Sequence, residues 1–221
     1  MQISNIIIGF SVATLLAVSS MSQAGRFQSN DFNGYGNNAS SASSSTEMSQ
    51  LSSEEIDSLL FMREEEKLAR DVYLTLYEQW NNPVFKNIAR SEQKHMDAMV
   101  SLLNKFQLND PVVDDSTGAF VNPELAAMYE EFVEKGRHSE MDALYVGGLI
   151  EEVDMEDIQK GIDSTNNRMI KRVYGSLLKG SRNHLRAFVR QIESRGVTYE
   201  PQQLDAEELY EVVDSPMERG S

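Results

Sequence analysis

Glu92 and His95, in the stretch "SEQKHM" at 91–96, stand three residues apart. On a helix that spacing puts both side chains on one face. A carboxylate and an imidazole so placed can hold a metal ion, exchange a proton, or bond to each other at a partly buried helix surface. Which of these applies depends on whether their face is wet or apolar. Glu66, Glu151, Asp154 and His184 raise the same question, because each falls in an otherwise apolar row.

The rows follow from the helices. Ser52 with Glu55 makes a capping box that opens a helix running to about Gln79. Its inward stripe is Leu59, Met62, Glu66, Ala69, Tyr73, Leu76 and Trp80. "NNP" breaks the chain, and Pro83 suits a first helical position. The second helix, about 84–106, has the stripe Phe85, Ile88, Glu92, His95, Met99, Leu102 and Phe106, so Glu92 and His95 lie on the apolar face. A long connection, 107–139, carries a short helix capped by Asn122, started by Pro123 and ended by Gly136. The third long helix begins at Ser139, with Leu144, Gly147, Gly148, Glu151, Asp154, Met155 and Ile158 in one stripe. Its phase is loose, since Glu152 falls on an adjacent face. The two glycines mark a close helix approach. The last helix, about 167–194, is ended by Gly196 and places Ile170, Tyr174, Leu177, Ser181, His184 and Phe188 inward. The expected fold is therefore all-α: two tight helix pairs joined by a long crossover. About 33 residues of crossover can span a bundle of roughly 35 Å at about 1.5 Å per helical residue.

One core thus receives Glu66, Glu92, His95, Glu151 and His184, with Asp154 beside them. An unpaired buried carboxylate costs several kcal/mol, and several together repel one another. One or two divalent cations resolve both problems. Carboxylates and imidazoles without thiolate suit iron, with manganese or zinc as alternatives. Dimetal carboxylate bundles take a Glu from each of two helices and a Glu-x-x-His from each of the other two. Here Glu66, Glu92-x-x-His95 and Glu151 match, whereas Ser181-x-x-His184 lacks the last carboxylate. Asp154, Glu152, Glu65 or water then completes a dinuclear site, or the site is mononuclear. The third histidine, His138, sits in a loop.

The same motifs carry a resemblance. "EKLARDVY" at 66–73 resembles the first-helix motif of rubrerythrins. More closely, "LSSEEIDSLLFMREEEKLARDVYLTLYEQW", "FKNIARSEQKHMDAM", "ALYVGGLIEEVDMEDI" and "GSRNHLRAF" resemble the ferritin-like family known as domain of unknown function 2202, over about 51–202. The resemblance implies a ferritin-like four-helix bundle, with a long crossover carrying a short extra helix, and a carboxylate/histidine metal site. The family name supplies no substrate.

Outside the site the reading is plainer. "REEEK" at 63–67 reads as a wet helix face in which phase alone singles out Glu66. Tyr73 and Tyr174 read as core tyrosines with a polar tip able to bond a ligand residue. Arg182 and Arg186 read as surface pairing partners of acids. "DDSTG" lacks the spacing of a calcium loop.

Composition bounds the rest. A net charge of −15 argues against nucleic acid and anionic membranes as partners and favours metal ions. The absence of cysteine excludes disulfides, thiolate metal sites and a thiol nucleophile. Residues 1–24 read as a signal peptide, with Ser22 and Ala24 preceding a cleavage at Gly25. That implies a periplasmic or secreted protein with no stable membrane insertion after cleavage. Residues 25–50 read as a disordered Ser/Asn/Gly-rich linker, 51–204 as the helical domain, and 205–221 as an acidic tail with room for one short helical turn. Three readings fit: an oxidoreductase or ferroxidase using dioxygen or peroxide, a non-catalytic metal-binding protein, and a metal-free helical interaction module. A separate electron donor and a homodimer are left open.

Overall fold

The computed structural model describes residues 51–219; the expected signal peptide and the whole of the expected linker lie outside them. The described residues are all-α, with six helices and no strand: α1 Ser53–Trp80, α2 Pro83–Lys105, α3 Pro123–Gly136, α4 Glu140–Ser164, α5 Arg168–Glu193 and α6 Ala206–Val213. No helix among them is long and apolar enough to cross a membrane.

Local chemistry sets the boundaries. The Ser52–Glu55 capping box is closed in both directions. Asn82, Asn122, Ser139 and Asn167 cap α2, α3, α4 and α5 through their side chains, and Pro83 and Pro123 occupy first-turn positions. Between α1 and α2, Asn81 takes the left-handed conformation (φ 53°) that reverses the chain in two residues. α1 packs on α2 and α4 on α5, while α1·α4 and α2·α5 contacts join the pairs.

The packing separates two apolar clusters. One contains Leu68, Val72, Phe85, Ile88, Leu144, Ile150, Leu185 and Phe188. The other contains Leu59, Met62, Met99, Leu102, Ile158, Ile170 and Leu177. Along every long helix the polar residues of interest fall between members of the two clusters. A methyl group at Gly147 would collide with Phe188 of α5, the close helix approach expected there, whereas one at Gly148 would collide with Tyr199 in the segment after α5.

Three expectations change. "REEEK" is not wet: Arg63, Glu64, Glu65, Glu66 and Lys67 are all buried. The crossover lies along the back of α1. Arg63 bonds Asp110, Glu64 accepts from the backbone N–H of Val121 (2.6 Å) and Asn122, and Lys67 bonds Asp71 and donates to the carbonyl of Ser116. Secondly, the acidic tail holds the two-turn helix α6, whose Leu209 and Val212 are buried against the first cluster. Thirdly, Arg186 is a buried anchor for that segment. It donates to the carbonyl of Val212 (2.8 Å), to Ser215 and to Glu218. A short amphipathic helix reads as a tail because its burial depends on a groove made elsewhere in the chain.

Candidate metal centre

Four helices meet at the polar layer. α1 brings Glu66, α2 brings Glu92 and His95, α4 brings Glu151, and α5 brings His184. Glu66, Glu92 and Glu151 are at most 1% exposed, and the two imidazoles are only slightly more open. The donor atoms form two triads, Glu66–Glu92–His95 and Glu92–Glu151–His184, each within a sphere that one cation can fill. Glu92 belongs to both. Its Oε2 lies 2.8 Å from Nδ1 of His95 and its Oε1 lies 2.7 Å from Nδ1 of His184. Nδ1 of His95 is also 3.1 Å from Oε2 of Glu66, and Nδ1 of His184 is 3.3 Å from Oε2 of Glu151. The two rings stack at 5.5 Å and 27°.

His95 is hydrogen-bonded to Glu66 through Nδ1 and Oε2, but the short distances to Glu92 and to Glu151 do not make hydrogen bonds. Both oxygens of Glu92, Oε2 of Glu151, Oε1 of Glu66 and Nδ1 of His184 are buried with no partner in hydrogen-bond geometry. They point at common space rather than along one another's donor directions. Buried polar groups are nearly always satisfied, so an orphaned set of converging oxygens and imidazole nitrogens fits a divalent cation.

The electrostatics agree. Burial raises the Glu66 carboxyl, opposed by His95, to about 7. Burial likewise raises Glu151, opposed by His184. Burial would raise Glu92 too, but the charges of His184 and His95 hold it well below the usual carboxylate range. Burial would lower His184, yet Glu92 and Glu151 push it to about 10. Burial also opposes charge on His95, and Glu66 and Glu92 override it, raising it well above its ordinary value.

Second contacts orient the candidate ligands. Tyr73 donates to Oε1 of Glu151 at 2.5 Å, leaving Oε2 for the centre. Burial, then the Glu151 charge, keeps that phenol well above its ordinary pKa and so a donor. Tyr174 instead bonds Ser58 at 2.9 Å and lies in the second apolar cluster. Gly180 was not singled out by sequence. A methyl group there would collide with Nε2 and Cε1 of His95. The available signal was a glycine inside a helix, which costs roughly 0.5–1 kcal/mol and so needs a packing reason.

The other candidates separate. Asp154 is buried with Oδ2 unpartnered, but it belongs to neither triad. Glu152 is not part of the centre: it accepts from Tyr199 (2.6 Å) and from the backbone N–H groups of Gln202, Gln203 and Leu204. Glu65 is buried beside Glu66 yet outside both triads. Ser181 is buried and its hydroxyl donates to the carbonyl of Leu177 (3.3 Å), so α5 contributes only His184. His138 is exposed and stands apart, near Glu134.

Comparison with known proteins follows the same boundaries. Residues 55–216 match the family described as "Uncharacterized protein domain (DUF2202)". "Uncharacterized protein MJ0754" of Methanocaldococcus jannaschii is 54% identical over 170 residues, covering 77% of this chain and 92% of that protein. The "Crystal structure of hypothetical protein MJ0754 from Methanococcus jannaschii" superposes with a TM-score of 0.75 at 54% identity, covering 76% of this chain and 96% of that one. Neither description states a ligand or an activity.

Proposed function

The chain belongs to the DUF2202 family, and from the layer its helices build we propose that it is an exported, ferritin-like bundle protein holding a dinuclear iron centre. The observation that carries this reading is the pair of triads sharing Glu92, with most of their converging oxygens and nitrogens left without hydrogen-bond partners. Glu66 and His95 would hold one cation, Glu151 and His184 the other, and Glu92 would give one oxygen to each. Manganese or zinc fits the same donors less specifically.

Glu66, Glu92, His95, Glu151 and His184 would hold iron whose chemistry, when bound, would be electron transfer to dioxygen or peroxide, the work of an oxidoreductase or, with ferrous iron as substrate, of a ferroxidase. The protein's own residues prepare that chemistry. Tyr73 holds Glu151, the apolar clusters on either side exclude bulk water, and the slight exposure of His95 and His184 leaves a narrow side toward solvent. Without cysteine, electrons come from the substrate or a separate donor. The lean donor set, with Ser181 where a carboxylate would stand, favours a second reading: a protein that holds metal without turning over. Export rests on the apolar run and small residues before Gly25, and places the protein in the periplasm or outside the cell.

Anaerobic purification from the envelope fraction, followed by intact mass and metal analysis, tests the proposal. The expected chain begins at Gly25 and carries two metal ions as wild type or as His138→Ala, about two by the triad count and none or one as Glu92→Ala. Equal metal in all three would refute the assignment. Ferrous iron then exposed to dioxygen or peroxide should oxidise faster than in buffer, and more slowly with Glu66→Ala. Metal bound without faster oxidation selects the metal-handling reading.

A further inference from the structure

We propose that an open cleft at one end of the bundle is a binding site for a neutral sugar, a hexopyranose held by side-chain amides against the indole of Trp80. The cleft has a volume of about 580 Å³, within the range of about 300–1,000 Å³ usual for small-molecule sites. It lies where α1 ends and α2 begins, and α4 and α5 supply Glu140, Gln191 and Arg195 to its wall. Trp80 is the last residue of α1, about 21 Å of helical rise beyond Glu66, so the cleft is separate from the metal centre and does not depend on it. Its side chains are held in place by one another. Asn82 donates to Oε1 of Glu140 at 2.8 Å, and Arg195 donates to the same oxygen at 2.9 Å. Arg195 also donates to Oε1 of Gln191 at 3.0 Å. Nε1 of Trp80 donates to the carbonyl of Gly136 at 2.9 Å, and the indole packs against the first apolar cluster.

These bonds use only part of the lining's capacity. Among the described residues, Oε2 of Glu140 and Nε2 of Gln191 have no hydrogen-bond partner, and neither do the side-chain amides of Asn81 and Asn87, both exposed. What is left over selects a ligand class. Glu140 and Arg195 neutralise each other, and among the described residues no second acid or base lines the cleft, which argues against an ion. A wall mostly of amides and charged groups does not suit an apolar ligand. Amides and a carboxylate present donors and acceptors side by side, as neighbouring hydroxyls require, since each hydroxyl both donates and accepts. The single aromatic ring offers a flat apolar surface to the C–H face of a pyranose. An open-chain polyol would use the amides but not the indole.

Trp80 is the only tryptophan in the chain, so intrinsic tryptophan fluorescence reports on this cleft. Titration of the full chain with glucose, galactose, mannose and N-acetylglucosamine should give a saturable change with at least one of them, with Kd on the order of 1–10 mM. Asn87→Ala and Gln191→Ala each remove one amide near the surface. Each should weaken that binding by about tenfold and leave the thermal midpoint unchanged. Lys105→Ala, at the opposite end of α2, should bind as wild type does. Phosphate and Ca²⁺ should give no saturable change. No saturable change with any of the four sugars overturns the proposal. So does wild-type affinity in both amide variants, which would place the sugar elsewhere. A larger response to phosphate or Ca²⁺ than to every sugar would make the cleft an ion site and overturn it equally.

Discussion

At the scale of the residue, Tyr73 shows how one hydrogen bond can decide the posture of a candidate ligand. Its hydroxyl reaches Glu151 from α1 across to α4 and ties one carboxylate oxygen, so the other faces His184. Tyr73→Phe keeps the ring packing against Phe188 but leaves Oε1 of Glu151 buried without a donor. An unsatisfied buried acceptor costs about 1–3 kcal/mol, and loss of a ligand's supporting contact typically weakens metal affinity about 10- to 100-fold. Titration of Tyr73→Phe with Co²⁺ should therefore show weakening confined to one of two binding events, with a lower thermal midpoint in the metal-free protein. Weakening of both events equally would mean that Glu151 is not specific to one position.

At the scale of the element, α5 sets local propensity against tertiary fit. It carries two glycines inside the helix, and their surroundings differ. Gly175 is exposed with nothing within reach of an added methyl group, whereas Gly180 lies against the His95 ring. Gly175→Ala should raise stability by roughly 0.5–1 kcal/mol, because alanine loses less backbone freedom on folding. Gly180→Ala gains the same propensity but must push the His95 ring aside, and overpacking typically costs about 1–3 kcal/mol. Thermal melts should move in opposite directions for the two variants. Metal content should fall only in Gly180→Ala, with the position that uses His95 the one lost.

At the scale of the whole molecule, the C-terminal segment closes over α4 and α5 through two polar anchors, of which the second is ionic. Glu152 gathers the 199–204 turn, and Arg182 and Arg186 hold Glu218 beyond α6. Hydrogen bonding from Arg182, then from Arg186, lowers the Glu218 carboxyl to about 2. Its folded pKa lies below its unfolded value, so this anchor is fully present above the ordinary glutamate pKa, about 4.3. It is lost as pH falls toward about 2. The stability difference between wild type and Glu218→Gln should accordingly be constant near neutral pH and shrink through that acid window. A difference that stays constant down to pH of about 2 would remove the ionic anchor from the account.

The sequence by itself determined the helices, their caps and the inward rows, because a helix's periodicity and its end chemistry are local. The phase of each helix was enough to bring Glu66, Glu92, His95, Glu151 and His184 toward one core. What it could not reach was set by contacts between distant segments. "REEEK" looked wet because nothing in α1 announces that residues 110–122 will cover its back with matching partners. Glu152 looked as eligible as Glu151 or Asp154 until the 199–204 turn came round to occupy it. The tail looked free until a groove on α5 received Leu209 and Val212. Gly180 acquired its meaning from the His95 ring opposite. Periodicity says which way a side chain points along its own helix; which neighbour then satisfies it, or leaves it open for a cation, is decided only when all four long helices and the segments laid over them meet.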